Sequence, residues 1–168
     1  LGLTPMTDSR FITVKVAVGV FQAALPVALI FAIGFFTNAK ALWWVWPSSA
    51  ALVLFGAMIF SLYGLTVGSL FRSESAVGVS SGLVVIFGFL GNVFVPLSGW
   101  MLVLAKFTSL YDIAALARRP LSEGYSVEMN SGDLVAEPLW QVLANVGVWL
   151  TIFAVASVLL VRKGRERQ

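Results

Sequence analysis

Where the charges fall constrains this chain more than any other feature. Asp, Glu, Lys and Arg are absent from Val16 to Ala39, from Ala41 to Phe71, from Ser75 to Ala105 and from Leu139 to Val161. Each gap meets the length of about 20 residues that a helix needs to cross a bilayer. The two middle gaps exceed it and must include interfacial or turning residues. A soluble fold would have to bury four such helices inside a larger polar shell than 11% charged residues can build. The chain is therefore predicted to be all-α: a polytopic transmembrane bundle of four spanning helices plus an extracellular re-entrant helical hairpin.

In order, residues 1–10, LGLTPMTDSR, form a short mixed segment expected to lie at the membrane surface. Pro5 suits the first turn of a helix with Thr4 as its cap, and Thr7, Asp8 and Ser9 can cap a helix starting near Phe11. The segment lacks the basic start and apolar stretch of a secretory signal and begins at Leu1, so sequence preceding Leu1 is expected. The first span is placed at residues 11–36. Pro26 in its middle removes one backbone hydrogen bond and favours a kink. Gln22, one turn earlier, is its one strongly polar side chain. It can bond the carbonyl freed by Pro26, meet another helix or touch a substrate. Asn38 and Lys40 then mark an aqueous turn, and Trp43, Trp44 and Trp46 cluster at headgroup level, where an amphipathic indole is favoured.

The second span is placed at 48–71 and the third at 76–95, joined by the polar turn Arg72–Ser75. Ser73 or Ser75 can cap the third helix, and Glu74 suits the positive end of its dipole. Gly64 and Gly68 in the second span, and Gly78 and Gly82 in the third, recur at a spacing that puts each pair on one helix face. Small residues so placed let helices approach closely in lipid. The stretch GNVFVPLSGWMLVLAKFTSLYDIAALARR follows. It carries Asn92, Pro96, Ser98 and Gly99, then a second apolar segment interrupted by Lys106 and Asp112. A charge at the bilayer centre costs about 2.5–3.5 kcal/mol on insertion scales. A hairpin over 96–119 that keeps both charges near water avoids that cost. Residues 120–138 read as a soluble loop rich in turn formers. The last span is placed at 139–161, with Asn145 expected to bond across to another helix. Arg162, Lys163, Arg165 and Arg167 follow it.

Four spans put Arg10, Lys15, Arg72 and the basic tail on one side of the membrane, against Lys40, Lys106, Arg118 and Arg119 on the other. The positive-inside rule then makes both ends of the chain cytoplasmic in a plasma membrane. Several chemistries are excluded. There is no cysteine and no histidine, so thiol catalysis, thiolate metal sites and a Ser/His/Asp triad are ruled out. No phosphate-binding loop of the GxxxxGK[ST] type occurs. No span holds an internal acid of the kind a proton- or sodium-coupled carrier usually places at mid-depth. No catalytic, cofactor or metal residue is assigned, and nothing points to nucleic acid.

Taken together, the surface segment LGLTPMTDSRFITVKV, two spans, the turn LFRSESAVGVS, a third span, FVPLSGWMLVLAKFTSLYDIAALARRPLSEG and a final span resemble the type-2 permease of ATP-binding-cassette (ABC) exporters. The resemblance covers nearly the whole chain. Its strongest parts are LFRSESAV and PLSG…AKFTSLY…ALAR. One departure is visible: the family usually has a proline before the tyrosine region, where Thr108 and Ser109 stand here. The resemblance implies a six-span subunit of which this is the C-terminal four-span portion, with two spans before Leu1. It implies a homo- or heterodimer of permeases in the lipid bilayer, docked to a cytoplasmic ABC ATPase. That partner would hold the ATP and magnesium, and this chain would be a transport subunit and no enzyme. Thr4, Pro5, Thr7, Asp8 and Arg10 would match the coupling segment at the ATPase groove. Pro96, Ser98, Gly99, Tyr111 and Arg118 would belong to the outward hairpin or gate. Gln22, Pro26 and Asn145 would be candidates to face the cavity. The alternative readings are a membrane scaffold or regulatory subunit that transports nothing, and a membrane-embedded enzyme.

Overall fold

Helix α2 (Val45–Leu70) is the element against which four of the other five helices pack among the described residues. The computed structural model describes residues 7–37, 42–71, 73–127 and 131–165, and of residues 73, 74, 164 and 165 the backbone alone. Thr4, Pro5, Asn38, Lys40, Arg72 and Arg167 lie outside the described residues. So do the side chains of Ser73, Glu74 and Arg165, and with them part of the cap assigned to the third helix and part of the basic tail. Around α2 stand α1 (Asp8–Phe36), α3 (Ser73–Leu90), the short α4 (Gly99–Ala105), α5 (Ser109–Ser122) and α6 (Leu139–Arg165). The fold is helical throughout, except that β1 (Tyr125–Val127) and β2 (Leu134–Ala136) pair antiparallel, with Ser126 opposite Val135.

Three helices, α1, α2 and α6, are long and apolar enough to cross a membrane, and the chain is a multi-pass membrane protein on that ground. The third span placed at 76–95 is shorter in the structure. α3 stops at Leu90, and its 18 residues rise about 27 Å at 1.5 Å each, a little under the hydrocarbon thickness of about 30 Å. The reason lies in its C-terminus. Val93 N–H bonds the Gly88 carbonyl at 3.2 Å and Asn92 N–H bonds the Phe89 carbonyl at 3.2 Å. This is a Schellman cap, and its left-handed residue is Asn92 at φ 56°. The chain therefore turns four residues before Pro96.

The core follows from residue placement on α2. Ile59, Leu62, Tyr63 and Val67 are buried and meet Ile113, Ala115 and Leu116 of α5 and Val142, Val146 and Phe153 of α6. Tyr63 is the aromatic hub. Its ring makes edge contacts with Phe60, Phe87 and Phe153, and its hydroxyl donates to the Ser80 carbonyl of α3 at 3.3 Å. That bond supplies the partner a buried phenol needs in an apolar setting. Asp8 at the start of α1 and Arg162 near the end of α6 approach within 3.9 Å. The first and last long helices thus share one end of the bundle. So exposed a pair adds little stability and serves here as a marker of position.

Close helix approach occurs, but not at the glycines assigned to it. A Cβ at Gly64, Gly68, Gly78 or Gly82 would meet nothing within 4 Å, so none of these packs against a helix of this chain among the described residues. Their faces turn outward because Tyr63, Val67 and the aromatic hub occupy the inward ones. The close approaches are elsewhere. Gly19 lies under Ser61, Gly34 lies under the Trp46 ring, and a Cβ on Gly56 would sit 2.5 Å from Ile113 Cγ2. Trp46 is thus a packing residue, edge-on to Phe31 at 5.6 Å, while Trp43 and Trp44 are exposed. The capping expected of Thr7 is also absent: it stands at the N-cap of α1 without a side-chain cap bond.

Two glycine substitutions separate these roles. Gly56→Leu should destabilise the bundle by about 1–3 kcal/mol through overpacking against Ile113. Gly64→Ala should be neutral or stabilising by up to about 1 kcal/mol, the ordinary gain of alanine in a helix. Unfolding titrations in mixed micelles measure both.

Candidate functional site

The most polar part of the interior is the joint between the α3–α4 turn, α5, the β-hairpin and the start of α6. Its first component is Asn92. Beyond its left-handed backbone, its side-chain oxygen accepts the Leu97 N–H at 2.7 Å, and its own carbonyl accepts Arg118 Nη1 at 3.1 Å. A turn in a chain of this class must satisfy its backbone groups with protein atoms wherever water is excluded. Asn92 and Arg118 do so between them. Pro96 and Gly99 are exposed and Ser98 is half-buried. Gly99 takes φ 57° at the start of α4, and Ser98 caps that helix without a side-chain bond.

The second component is the α4–α5 bend, 89° across three residues. Thr108 N–H and Oγ1 both donate to the Ala105 carbonyl, at 2.8 and 2.7 Å, and so close the elbow. Leu97, Leu102, Ala105 and Tyr111 fill its inside as a small second core. α6 holds the elbow from the other side. Asn145 Nδ2 donates to the Lys106 carbonyl at 2.8 Å, and Trp149 Nε1 donates to the Phe107 carbonyl at 3.1 Å. Asn145, one of the candidates to face the cavity, therefore binds a bend in the backbone.

α5 itself is amphipathic. Ser109, Asp112, Ile113 and Leu116 fall on one buried face with Tyr111 and Ala115 beside it. It runs past the end assigned to the hairpin, through Pro120 to Ser122, because the proline falls in the last turn and removes only the bond to the Leu116 carbonyl. The loop assigned to 120–138 thus begins as helix and continues as the β1–β2 pair. Glu123 closes α5 in the left-handed region, and Gly124 at φ 88° passes under the Arg119 guanidinium, where a Cβ would lie 2.9 Å from Nη2. Arg119 Nη1 in turn donates to the Glu137 carbonyl at 2.9 Å.

These turns deliver Glu137 to the buried face of α5. Tyr111 donates its hydroxyl to Glu137 Oε1. Burial, then the carboxylate that accepts its proton, holds the Tyr111 phenol above its ordinary range. Asp112 and Glu137 are both buried. Asn92, Asp112 and Glu137 carry most of this polar joint. Asn92 in the turn was visible as a break signal. Glu137 was assigned to the solvated loop, and its burial depends on a strand pairing whose alternating YSV and LVA segments were the only available signal.

No protein family, characterised protein or solved structure matches the chain. The reading of this site therefore rests on its own geometry. It contains no cluster of three or more metal-ligating side chains among the described residues. The remaining candidates lie apart from it. Gln22 and Pro26 are on the exposed side of α1, and the Gln22 side chain makes no hydrogen bond among the described residues, with the carbonyl freed by Pro26 or otherwise. Thr7, Asp8 and Arg10 lie at the α1 end that meets Arg162.

Asn92→Ala should cost about 2–4 kcal/mol, from a non-glycine left-handed residue and an orphaned Leu97 N–H. Asn92→Gly should cost less, because it keeps the backbone conformation and loses only the side-chain bond. The order of the two unfolding midpoints tests the assignment.

Proposed function

We propose that this chain is the membrane-spanning permease subunit of an ATP-driven exporter. It sits in the plasma membrane with both of its ends cytoplasmic, spans four times and carries a re-entrant hairpin, and a separate ATPase subunit powers it. The observation that carries this reading is the α4–α5 elbow. A short apolar helix folded at 89° onto a polar one, between a third apolar helix and a last long one, suits a plug over a pathway better than it suits a plain anchor.

Two further features support it. The ends of α1 and α6 lie together, as a shared cytoplasmic face requires. Gln22 stands on the exposed side of α1, midway along an apolar helix. A carboxamide there is costly against lipid and is satisfied by a second permease or a water-filled path. In this reading Thr4, Pro5, Thr7, Asp8 and Arg10 meet the ATPase, and Gly64, Gly68, Gly78 and Gly82 are free to pack against a second subunit. ATP and magnesium belong to the partner chain.

The tagged protein should co-purify from membranes with a nucleotide-binding subunit, and the complex in vesicles should hydrolyse ATP faster in the presence of its cargo. Replacing residues 4–10 with alanine should abolish that stimulation and leave membrane insertion unchanged. Purification without any ATPase would favour a scaffold, and normal transport in the alanine variant would remove the coupling role.

A further inference from the structure

Beneath the elbow lies a small pocket of about 10 Å³, lined by Lys106, Tyr111, Asp112, Glu137, Gln141 and Val142. That is about the space of one small guest of water size. Two carboxylates line it, Asp112 at 2% exposure and Glu137 at 7%. Their situations differ. Glu137 accepts the Tyr111 hydroxyl, whereas Asp112 Oδ2 is buried with no hydrogen-bond partner.

The charged and titratable groups facing the pair can be named element by element. Lys106 approaches from the end of α4, and its charge favours the ionised form of Asp112. Tyr111 comes from α5, with Arg118 two turns beyond acting on the phenol. Arg119 touches only the backbone carbonyl of Glu137. From α6 come neutral amides, Gln141 in the lining and Asn145 beside the Asp112 carboxyl. No ion pair joins Lys106 to either carboxylate within 4.0 Å among the described residues.

We infer that Asp112 and Glu137 form a binding site for a single proton, held on Asp112, which fastens the α4–α5 elbow to α6. With one proton the cavity holds one carboxylate that has a donor and one neutral carboxyl. Without it, two anions share one buried pocket and one of them has an oxygen with no protein partner. Separating the elbow from α6 hydrates both, so loss of the proton favours the open arrangement. Burial first, then Glu137, outweighs Asn145 and Lys106 and pushes the Asp112 carboxyl from its ordinary 3.8 up to about 7. A carboxyl raised by docking gives docking its full strength below the undocked value, and the advantage is lost as pH rises through about 7. The site stands on the fold alone and does not depend on export.

The chain has no cysteine, so a single reporter thiol can be introduced cleanly. Ser109→Cys places one at a fully buried position on the first turn of α5, and Phe107→Cys places an exposed control on the elbow. The full chain in lipid nanodiscs is alkylated with a water-soluble maleimide from pH 5 to 8.5, and the Ser109→Cys rate is divided by the control rate at each pH. The ratio should rise by about tenfold or more, the change that one pH unit of linked titration carries. Adding Asp112→Asn should make the ratio low and flat. Adding Glu137→Gln should move the midpoint to lower pH by removing the neighbouring anion. A ratio independent of pH in the parent, or the same rise retained in Asp112→Asn, overturns the site. If Asp112→Asn fails to fold, the midpoint of Glu137→Gln decides: a downward shift supports the shared proton and an unmoved midpoint refutes it.

Discussion

The structure depends on how an apolar helix can end and reverse without leaving peptide groups unpaired. In lipid each such group lacks water to fall back on. The chain meets that demand at Asn92. Its backbone conformation closes the last turn of α3, its side chain takes the Leu97 N–H, and its carbonyl is covered by Arg118 from α5. The end of α3, the turn that follows it and the distant α5 are thereby fixed around one residue. An alanine could fill the space but offers neither the left-handed preference nor the acceptor.

The elbow that follows is held more by polar contacts than by its own small apolar core. Its backbone carbonyls at Lys106 and Phe107 are bound by Asn145 and Trp149 from α6, and the β-hairpin folds Glu137 back against Tyr111. Apolar packing then fixes α5 against α2 through Ile113 at Gly56. This division matters physically. Contacts between apolar side chains respond weakly to pH and salt, whereas a buried carboxylate pair responds strongly.

Much of the architecture was legible in the sequence because charge-free length is a direct signature of a crossing helix. The long helices α1, α2 and α6 follow from it, while the break after the third apolar run was marked by Asn92, Pro96, Ser98 and Gly99. What was not legible depended on tertiary placement. Glycine spacing on Gly64 and Gly68 says that one face is smooth, not that a helix lies on it, and within this chain that face is bare. Conversely Gly19, Gly34 and Gly56 form no repeat and yet sit at the close approaches. The polar loop after α5 gave only a faint sign that Glu137 would be buried, because three-residue strands carry too little pattern to stand out. The resemblance to type-2 permeases rests on short motifs.

Along the whole of α1, Ile12 alone is buried among the described residues, although the helix lies along α2, with close approaches where Gly19 meets Ser61 and Gly34 meets Trp46. α5, by contrast, is wedged between α2 and α6. Of the three long apolar helices, α1 is thus the one least covered by the rest of the chain, which leaves most of its length open to lipid or to another subunit.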